Sequence, residues 1–308
     1  QVTVEDALAV SSDTFFYKIG EQIFAERGGQ PILQDEVKKF GFGNKTGIDL
    51  PYESAGRVPD KDSKRQLVAD GVLMEGESPN YLVGDNVQLA VGQGLLAATP
   101  IQLAQAYGAI ANGGQVVRPL IAMALLAPGT PDSNVSGVAD LSKSEVVLKL
   151  NNTNTIRTID FKPEYRDAIV RGLQRVITGP GVDSDRYHAT TGERLFGSYP
   201  YEALPIAGKT GTAQGAASLP WNDSSAFAAF CIDPNQPYTV SAYLEKSGYG
   251  SKAAAPVTKC VFMALANTTP IPPVVPSDPL DLTSNLVAPD RSLPNNRCLG
   301  GAAYGGRD

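Results

Sequence analysis

Apolar residues recur at helical spacing in five stretches before position 180 and alternate at strand spacing after position 205. Thr3, three residues before Asp6, is a capping signal, and Ala7, Leu8 and Val10 make a short helix behind it. Ser11-Ser12-Asp13 interrupts that pattern. A second helix is predicted from about Thr14 to Arg27, with Phe16, Ile19 and Ile23 on one face and Gly28-Gly29 as its stop. A third, about Ile32 to Phe40, ends at Gly41. Positions 41–87 read mostly as loop, with glycines, prolines and the charged run Asp60-Lys-Asp-Ser-Lys-Arg65. Thr99-Pro100-Ile101-Gln102 is a strong helix start, with an N-cap threonine, proline first in the helix and glutamine third. Leu103, Tyr107 and Ile110 supply its inner face, and Asn112-Gly113-Gly114 ends it. Positions 115–160 read as strand and loop. Phe161 to about Val176 is amphipathic, with Ile169, Leu173 and Val176 aligned.

Three strands follow, at Pro205–Gln214, Ser225–Ile232 and Tyr238–Leu244, joined by short connections, and then a helix from about Ala255 to Leu265. Sequential strands with short connections imply an antiparallel sheet with helices packed on it, an α+β fold. From Pro270 onward, seven prolines in 39 residues remove so many backbone donors that the tail is expected to be extended. The expected division is one domain over 1–267 and a proline-rich tail over 268–308.

The chain of 308 residues is 42% hydrophobic and 19% charged, which fits a globular core and argues against wholesale disorder. A net charge of −6 with no basic block gives no reason to expect a nucleic-acid partner. Cys231, Cys260 and Cys298 are too few and scattered for a zinc site or a disulfide framework; buried thiols are the plain reading. One histidine, His188 in a polar run, leaves little room for a Ser-His-Asp triad or most zinc hydrolases. No run of 18 apolar residues is present.

The chemistry concentrates in two places. Lys209-Thr210-Gly211-Thr212 lies on the first of the three strands, where a cation flanked by hydroxyls and a glycine suits a small carboxylate. Ser11 and Asp13 lie in a helix-to-helix loop, where side chains are displayed and a hydroxyl two residues from a carboxylate can support proton transfer. By local chemistry alone, Ser11 and Asp13 also read as ordinary N-cap residues of the second helix, and Lys209 as a solvated strand lysine. Gly92-Gln93-Gly94 reads as a backbone turn, since no Lys-Ser/Thr follows to make a phosphate cradle. Trp221, just after the first strand, reads as a loop anchor or a groove wall.

Four stretches in order resemble the transpeptidase domain of class B penicillin-binding proteins, particularly its elongation-type branch. They are Val10-Ser-Ser-Asp-Thr-Phe-Phe-Tyr17, Phe40-Gly-Phe-Gly-x-x-Thr-Gly-Ile-Asp-Leu50, Gly92-Gln-Gly-x-x-x-Ala-Thr-Pro100 and Lys209-Thr-Gly-Thr-Ala-Gln214. A Ser-x-x-Lys nucleophile, a Ser-x-Asn-like triplet and Lys-Thr-Gly mark this class of serine enzymes. Here Asp13 stands where other members have asparagine, an acceptor-only group in place of an amide. No lysine of the chain has a serine three residues before it.

The resemblance implies a penicilloyl-serine transferase (serine β-lactamase-like) fold and a D,D-transpeptidase that cross-links peptidoglycan stem peptides through an acyl-enzyme and is blocked by β-lactam antibiotics. Its implied roles are proton relay for Ser11, orientation of Ser11 and the catalytic lysine for Asp13, and positive potential at the substrate carboxylate for Lys209. Thr210, Gly211 and Thr212 form the substrate-binding strand, with the Thr212 N–H as half of an oxyanion hole. It implies no metal or cofactor, a membrane polymerase partner, and a place on the outer face of the bacterial cytoplasmic membrane. It also implies a Cys260–Cys298 bridge as the alternative to free thiols, because the family works outside the cytoplasm. The nucleophile is expected in an upstream Ser-x-x-Lys segment of the same protein, and residues 1–308 are not expected to fold or act alone. An open apolar sheet face of several hundred Å² would cost on the order of ten kcal/mol. A D,D-carboxypeptidase, a serine β-lactamase and a non-catalytic scaffold or sensor are the alternatives.

Overall fold

Helix α1 (Val4–Val10) starts in a complete capping box, with the Asp6 N–H donating to the Thr3 hydroxyl and the Thr3 N–H donating to the Asp6 carboxylate. Helices α2 (Asp13–Glu26) and α3 (Ile32–Lys39) follow, and Gly28 and Gly29 separate them at positive φ, as their sequence signal predicts. The structure, a computed structural model, describes residues 2–73, 76–122, 124–127, 146–149, 154–179, 190–197, 199–215 and 223–266. His188, Trp221, Cys298 and the proline-rich tail lie outside the described residues.

The segment read as loop contains two helices, α4 (Lys61–Ala69) and α5 (Val83–Leu89). The charged run is the start of α4: Asp60 accepts from the Ser63 N–H at 2.9 Å while the Asp60 N–H donates to the Ser63 hydroxyl at 2.7 Å. Its inner face is Lys64 and Leu67, so apolar periodicity cannot reveal it. The Lys64 ammonium is held by both Asp85 oxygens at 2.7 Å, and Asp85 also accepts from the Leu82 N–H at the start of α5. One ion pair thus staples α4 to the first turn of α5.

Helix α6 (Pro100–Ala111) has the expected capping box between Thr99 and Gln102, with proline first. Its inner face differs from the predicted one. Gln102, Gln105, Ala106 and Ala109 are buried, while Leu103, Tyr107 and Ile110 are half-buried. Gln102 sits inside because its carboxamide donates to the Asn44 and Ala55 carbonyls, both at 2.8 Å, and so ties the 44–56 loop to α6. Strands β1 (Gln115–Val117), β2 (Ala124–Leu126), β3 (Val146–Lys149) and β4 (Thr155–Thr158) form two small antiparallel pairs, β1 with β4 and β2 with β3.

Helix α7 (Pro163–Thr178) and the short α8 (Glu193–Phe196) lead into the main sheet of β5 (Ile206–Ala213), β6 (Ser224–Cys231) and β7 (Thr239–Leu244), antiparallel in that order. Helix α9 (Ala254–Leu265) closes the described chain. Alternate sheet residues face two cores. Ile206, Phe227 and Ala229 pack with Phe262 and Met263 of α9, while Ala207 and Phe230 pack with Val170 and Leu173 of α7 and with Tyr107 and Ile110 of α6. Both faces therefore carry helices, and the open apolar face expected of the sheet is not what it presents. Strand β5 is buried over Ile206–Gly208 and accessible over Lys209–Ala213, while β7 is half-buried or exposed along its length. Cys231 is a free, buried thiol, and Cys260 is disulfide-bonded.

Two glycines set the helices that carry Ser11 and Asp13. A Cβ on Gly172 of α7 would lie 2.8 Å from the Leu8 side chain and 3.1 Å from the Glu5 Cα, so α1 rests directly on bare α7 backbone. Arg175 pairs with Asp6, and Arg171 with Glu5, both at 2.8 Å across that contact. A Cβ on Gly20 of α2 would lie 2.9 Å from the Ala90 Cβ, and Asn86 of α5 donates to the Gly20 carbonyl at 2.8 Å. We expect Gly172→Ala to destabilise the full-length protein by about 1–3 kcal/mol, because the Glu5 backbone cannot step aside without moving α1. A urea midpoint equal to that of the unsubstituted protein would show that α1 is not held there.

Candidate active site

Ser11 is the C-cap of α1 and adopts the left-handed conformation, φ 57° and ψ 54°. The N–H groups of Ser11 and Ser12 bond back to the Leu8 and Ala7 carbonyls at 3.3 and 2.8 Å, a Schellman-type ending in which glycine is the usual residue. A serine there carries strain on the order of 1 kcal/mol and persists because α1 and α2 are both pinned. The reversal leads straight into α2, whose first residue is Asp13, one position earlier than the pattern predicted. The helix N-terminus favours a carboxylate at that point. Ser12 is the N-cap but makes no side-chain capping bond; its hydroxyl lies 3.3 Å from that of Thr14.

Lys209 projects from β5 toward this turn, and its ammonium donates to the Ser11 hydroxyl at 2.9 Å, bridging residues 198 apart in the chain. It also donates to the Thr210 carbonyl at 3.1 Å and the Thr210 hydroxyl at 3.3 Å. Burial lowers the Lys209 pKa from 10.5 to about 8, and the negative charge of Asp13 opposes that shift. The Thr210 hydroxyl donates to that of Thr191 at 3.0 Å, and the Thr212 hydroxyl accepts from the Gly250 N–H at 3.2 Å. A Cβ on Gly250 would collide with the Gly211 carbonyl oxygen, so the loop before α9 lies on the bare backbone of Gly211.

These residues line a cavity of about 470 Å³, a volume suited to a small ligand. Ser11, Asp13, Lys209, Thr210, Gly211 and Thr212 all face it. Ser12 is not among its lining residues. Further contributors that the sequence did not assign to the site include Thr191 before α8, Gly250 before α9, and Gln93 after α5, which lies in the Gly92-Gln-Gly motif read as a turn. Gly92 and Gly94 are at φ 75° and 69°, which supports the predicted turn, but the residue between them reaches the strand: Gln93 donates to the Thr212 carbonyl at 2.7 Å. Among the described residues, no group of three or more His, Cys, Asp or Glu side chains is placed to hold a metal ion. No helix among them is long and apolar enough to cross a membrane.

A cation within hydrogen-bond reach of a serine, a carboxylate lining the same cavity and a hydroxyl-bearing strand edge together suit an anionic ligand and the passage of a proton. The penicillin binding protein transpeptidase domain family matches residues 1–263. The chain belongs to that family. Its curated relatives include the peptidoglycan D,D-transpeptidase MrdA of Haemophilus influenzae, 29% identical over 268 residues, or 83% of this chain and 35% of the relative. The Escherichia coli K12 protein of the same name is 28% identical over 262 residues, covering 81% and 35%. The chain thus spans about a third of the length of these relatives. Among solved structures, Pseudomonas aeruginosa PBP2 in complex with WCK 5153 superimposes with a TM-score of 0.59 at 29% identity, over 85% of this chain and 49% of that one. The complex of Helicobacter pylori PBP2 with MreC gives a TM-score of 0.56 at 23% identity, over 86% and 39%. The fold is therefore that of penicillin-binding transpeptidase domains, as the sequence motifs imply.

The lowered pKa of Lys209 has a definite sign. The ammonium is present below about pH 8 and is lost as the pH rises through that value. An NMR titration of ¹³C-dimethylated lysines should show one resonance moving near pH 8, absent in Lys209→Arg. Titration of every lysine above pH 9.5 would mean that the cavity does not desolvate it.

Proposed function

We propose that this chain forms the substrate-binding and proton-relay side of a serine-type peptidoglycan D,D-transpeptidase on the outer face of the bacterial cytoplasmic membrane. The observation that carries this reading is the 2.9 Å bond from the Lys209 ammonium to the Ser11 hydroxyl inside the cavity. In this reading the nucleophilic serine and its lysine belong to an upstream Ser-x-x-Lys segment of the full-length protein. The serine attacks the penultimate D-alanine carbonyl of a stem peptide, releasing the terminal D-alanine, and an amine of a neighbouring stem peptide then takes the acyl group.

Each residue of this chain has a task in that sequence. Lys209 and the Thr210 and Thr212 hydroxyls bind the terminal carboxylate of the substrate, with Gly211 keeping the strand slim. The Thr212 N–H stabilises the charge that develops on the attacked carbonyl oxygen. Ser11 passes a proton to the leaving amine, and Lys209, with a pKa of about 8, sits close to the pH at which such transfer is efficient. Asp13 keeps Lys209 charged, because its carboxylate favours the ammonium against burial. β-Lactams acylate the same serine, and a membrane polymerase supplies the glycan strands whose stem peptides are joined.

The alternative reading is a non-catalytic penicillin-binding-like scaffold. A D,D-carboxypeptidase differs only in using water as the acceptor. Labelling of the full-length protein by a fluorescent penicillin separates enzyme from scaffold, and product analysis with an added amine acceptor separates transpeptidase from carboxypeptidase. Asp13→Ala should slow labelling at least about tenfold, the scale of a misplaced proton-transfer group, while Ser12→Ala should leave it within about twofold. Equal losses would show that the triplet is misassigned by one residue.

A further inference from the structure

The turn after α5 holds the open edge of β5 through one side chain. Gln93 Nε2 donates to the Thr212 carbonyl at 2.7 Å, and Gln93 Oε1 accepts from the Gln214 N–H at 3.4 Å. The orientation of the carboxamide is fixed by its partners, because the carbonyl can only accept and the backbone N–H can only donate. One side chain thus fills two rungs of a ladder, as the peptide group of a neighbouring strand would. Strand β6 occupies the other edge of β5, and among the described residues no strand pairs with this one.

In an antiparallel ladder the N–H and C=O of a residue point to the same side. Since the Thr212 carbonyl points at Gln93, the Thr212 N–H lies on that same edge, on the strand segment that borders the cavity. The turn bearing Gln93 is itself anchored. It follows α5, which is tied to α2 by the bond from Asn86 to the Gly20 carbonyl and to α4 by the Lys64–Asp85 pair.

We propose that Gln93 is a positioning residue for acylation: its carboxamide fixes the β5 edge so that the Thr212 N–H is already aimed where the oxyanion develops. This rests on the transpeptidase reading above. A donor is effective when it needs no reordering as charge appears, and misplacement by about 1 Å can cost on the order of a hundredfold in rate. The role assigned to Gln93 is exerted through the strand, by its bonds to the Thr212 carbonyl and the Gln214 N–H.

The test compares Gln93→Ala and Gln93→Glu with the unsubstituted full-length protein, using acylation by a fluorescent penicillin as a function of its concentration. Both variants should lose about tenfold or more in limiting acylation rate, with the half-saturating concentration within about twofold of normal. A glutamate carboxylate cannot donate to the Thr212 carbonyl, but its protonated form can. The rate of Gln93→Glu relative to Gln93→Ala should therefore rise as the pH falls toward about 4.3, the ordinary carboxyl value. A purely structural role would move neither the pH ratio nor the split between rate and concentration. A Gln93→Ala rate within about twofold of normal, a loss confined to the half-saturating concentration, or a flat pH ratio would each overturn the proposal.

Amide hydrogen exchange over residues 209–214 supplies a readout that needs no labelling. Exchange should be faster in Gln93→Ala, and unchanged exchange would overturn the clip. If the unsubstituted protein takes up no penicillin, the transpeptidase reading falls by itself, and faster exchange still supports Gln93 as the residue that holds the strand edge.

Discussion

Helix α1 lies against α7 across Gly172, and that contact delivers Ser11 to Lys209. A helix of seven residues is too short to be stable alone, so its direction comes from what it packs on. The Arg171–Glu5 pair is largely exposed and contributes little. The Asp6–Arg175 pair is less exposed, and Asp6 also closes the capping box, so one carboxylate both starts the helix and docks it. Asp6 is accordingly held at a pKa of about 2, chiefly by its hydrogen bond to Thr3 and then by Arg175. The site inherits its geometry from a junction that contains none of its chemistry.

Within the cavity, burial and charge act on Lys209 in opposite directions. Desolvation lowers its pKa, and the Asp13 carboxylate raises it. A lysine fully in water would stay charged but would bind a carboxylate weakly through the solvent. A lysine buried without Asp13 would tend to lose its proton. The position near 8 keeps the group charged at neutral pH yet ready to exchange a proton with its hydroxyl neighbour. A carboxylate rather than an amide at position 13 has a physical consequence, since an amide carries no charge to oppose desolvation.

Sequence and structure agree where a local rule and a tertiary demand coincide. Thr3 and Thr99 cap the helices that they signal, the β5–β7 alternation becomes the sheet, and the Ser11 and Lys209 motifs meet in one cavity. Agreement ends where a polar residue does the work of an apolar one. Lys64 and Gln102 are buried because each finds hydrogen-bond partners far away in the chain, which hydrophobic periodicity does not register. For the same reason α4 hid inside a charged run, and the inner face of α6 was assigned to its larger side chains. Gln93, legible as part of a turn motif, and Thr191, which carried no signal, gain their place in the site from strand-edge and hydroxyl partners 119 and 19 residues away.

The long separations have a kinetic meaning. The bond from Lys209 to Ser11 closes a span of 198 residues and that from Gln93 to Thr212 one of 119, whereas the capping boxes close spans of three. Loop-closure entropy grows with span, and non-local contacts slow folding because that entropy must be spent before they return anything. Helices and the β5–β6–β7 meander can therefore form early from neighbours in sequence, while the constellation at the cavity matures only when distant segments dock. A chain caught part-way would retain most of its secondary structure and sheet while lacking the Ser11–Lys209 pair, so spectroscopic foldedness and a functional cavity are separate events in the life of this domain.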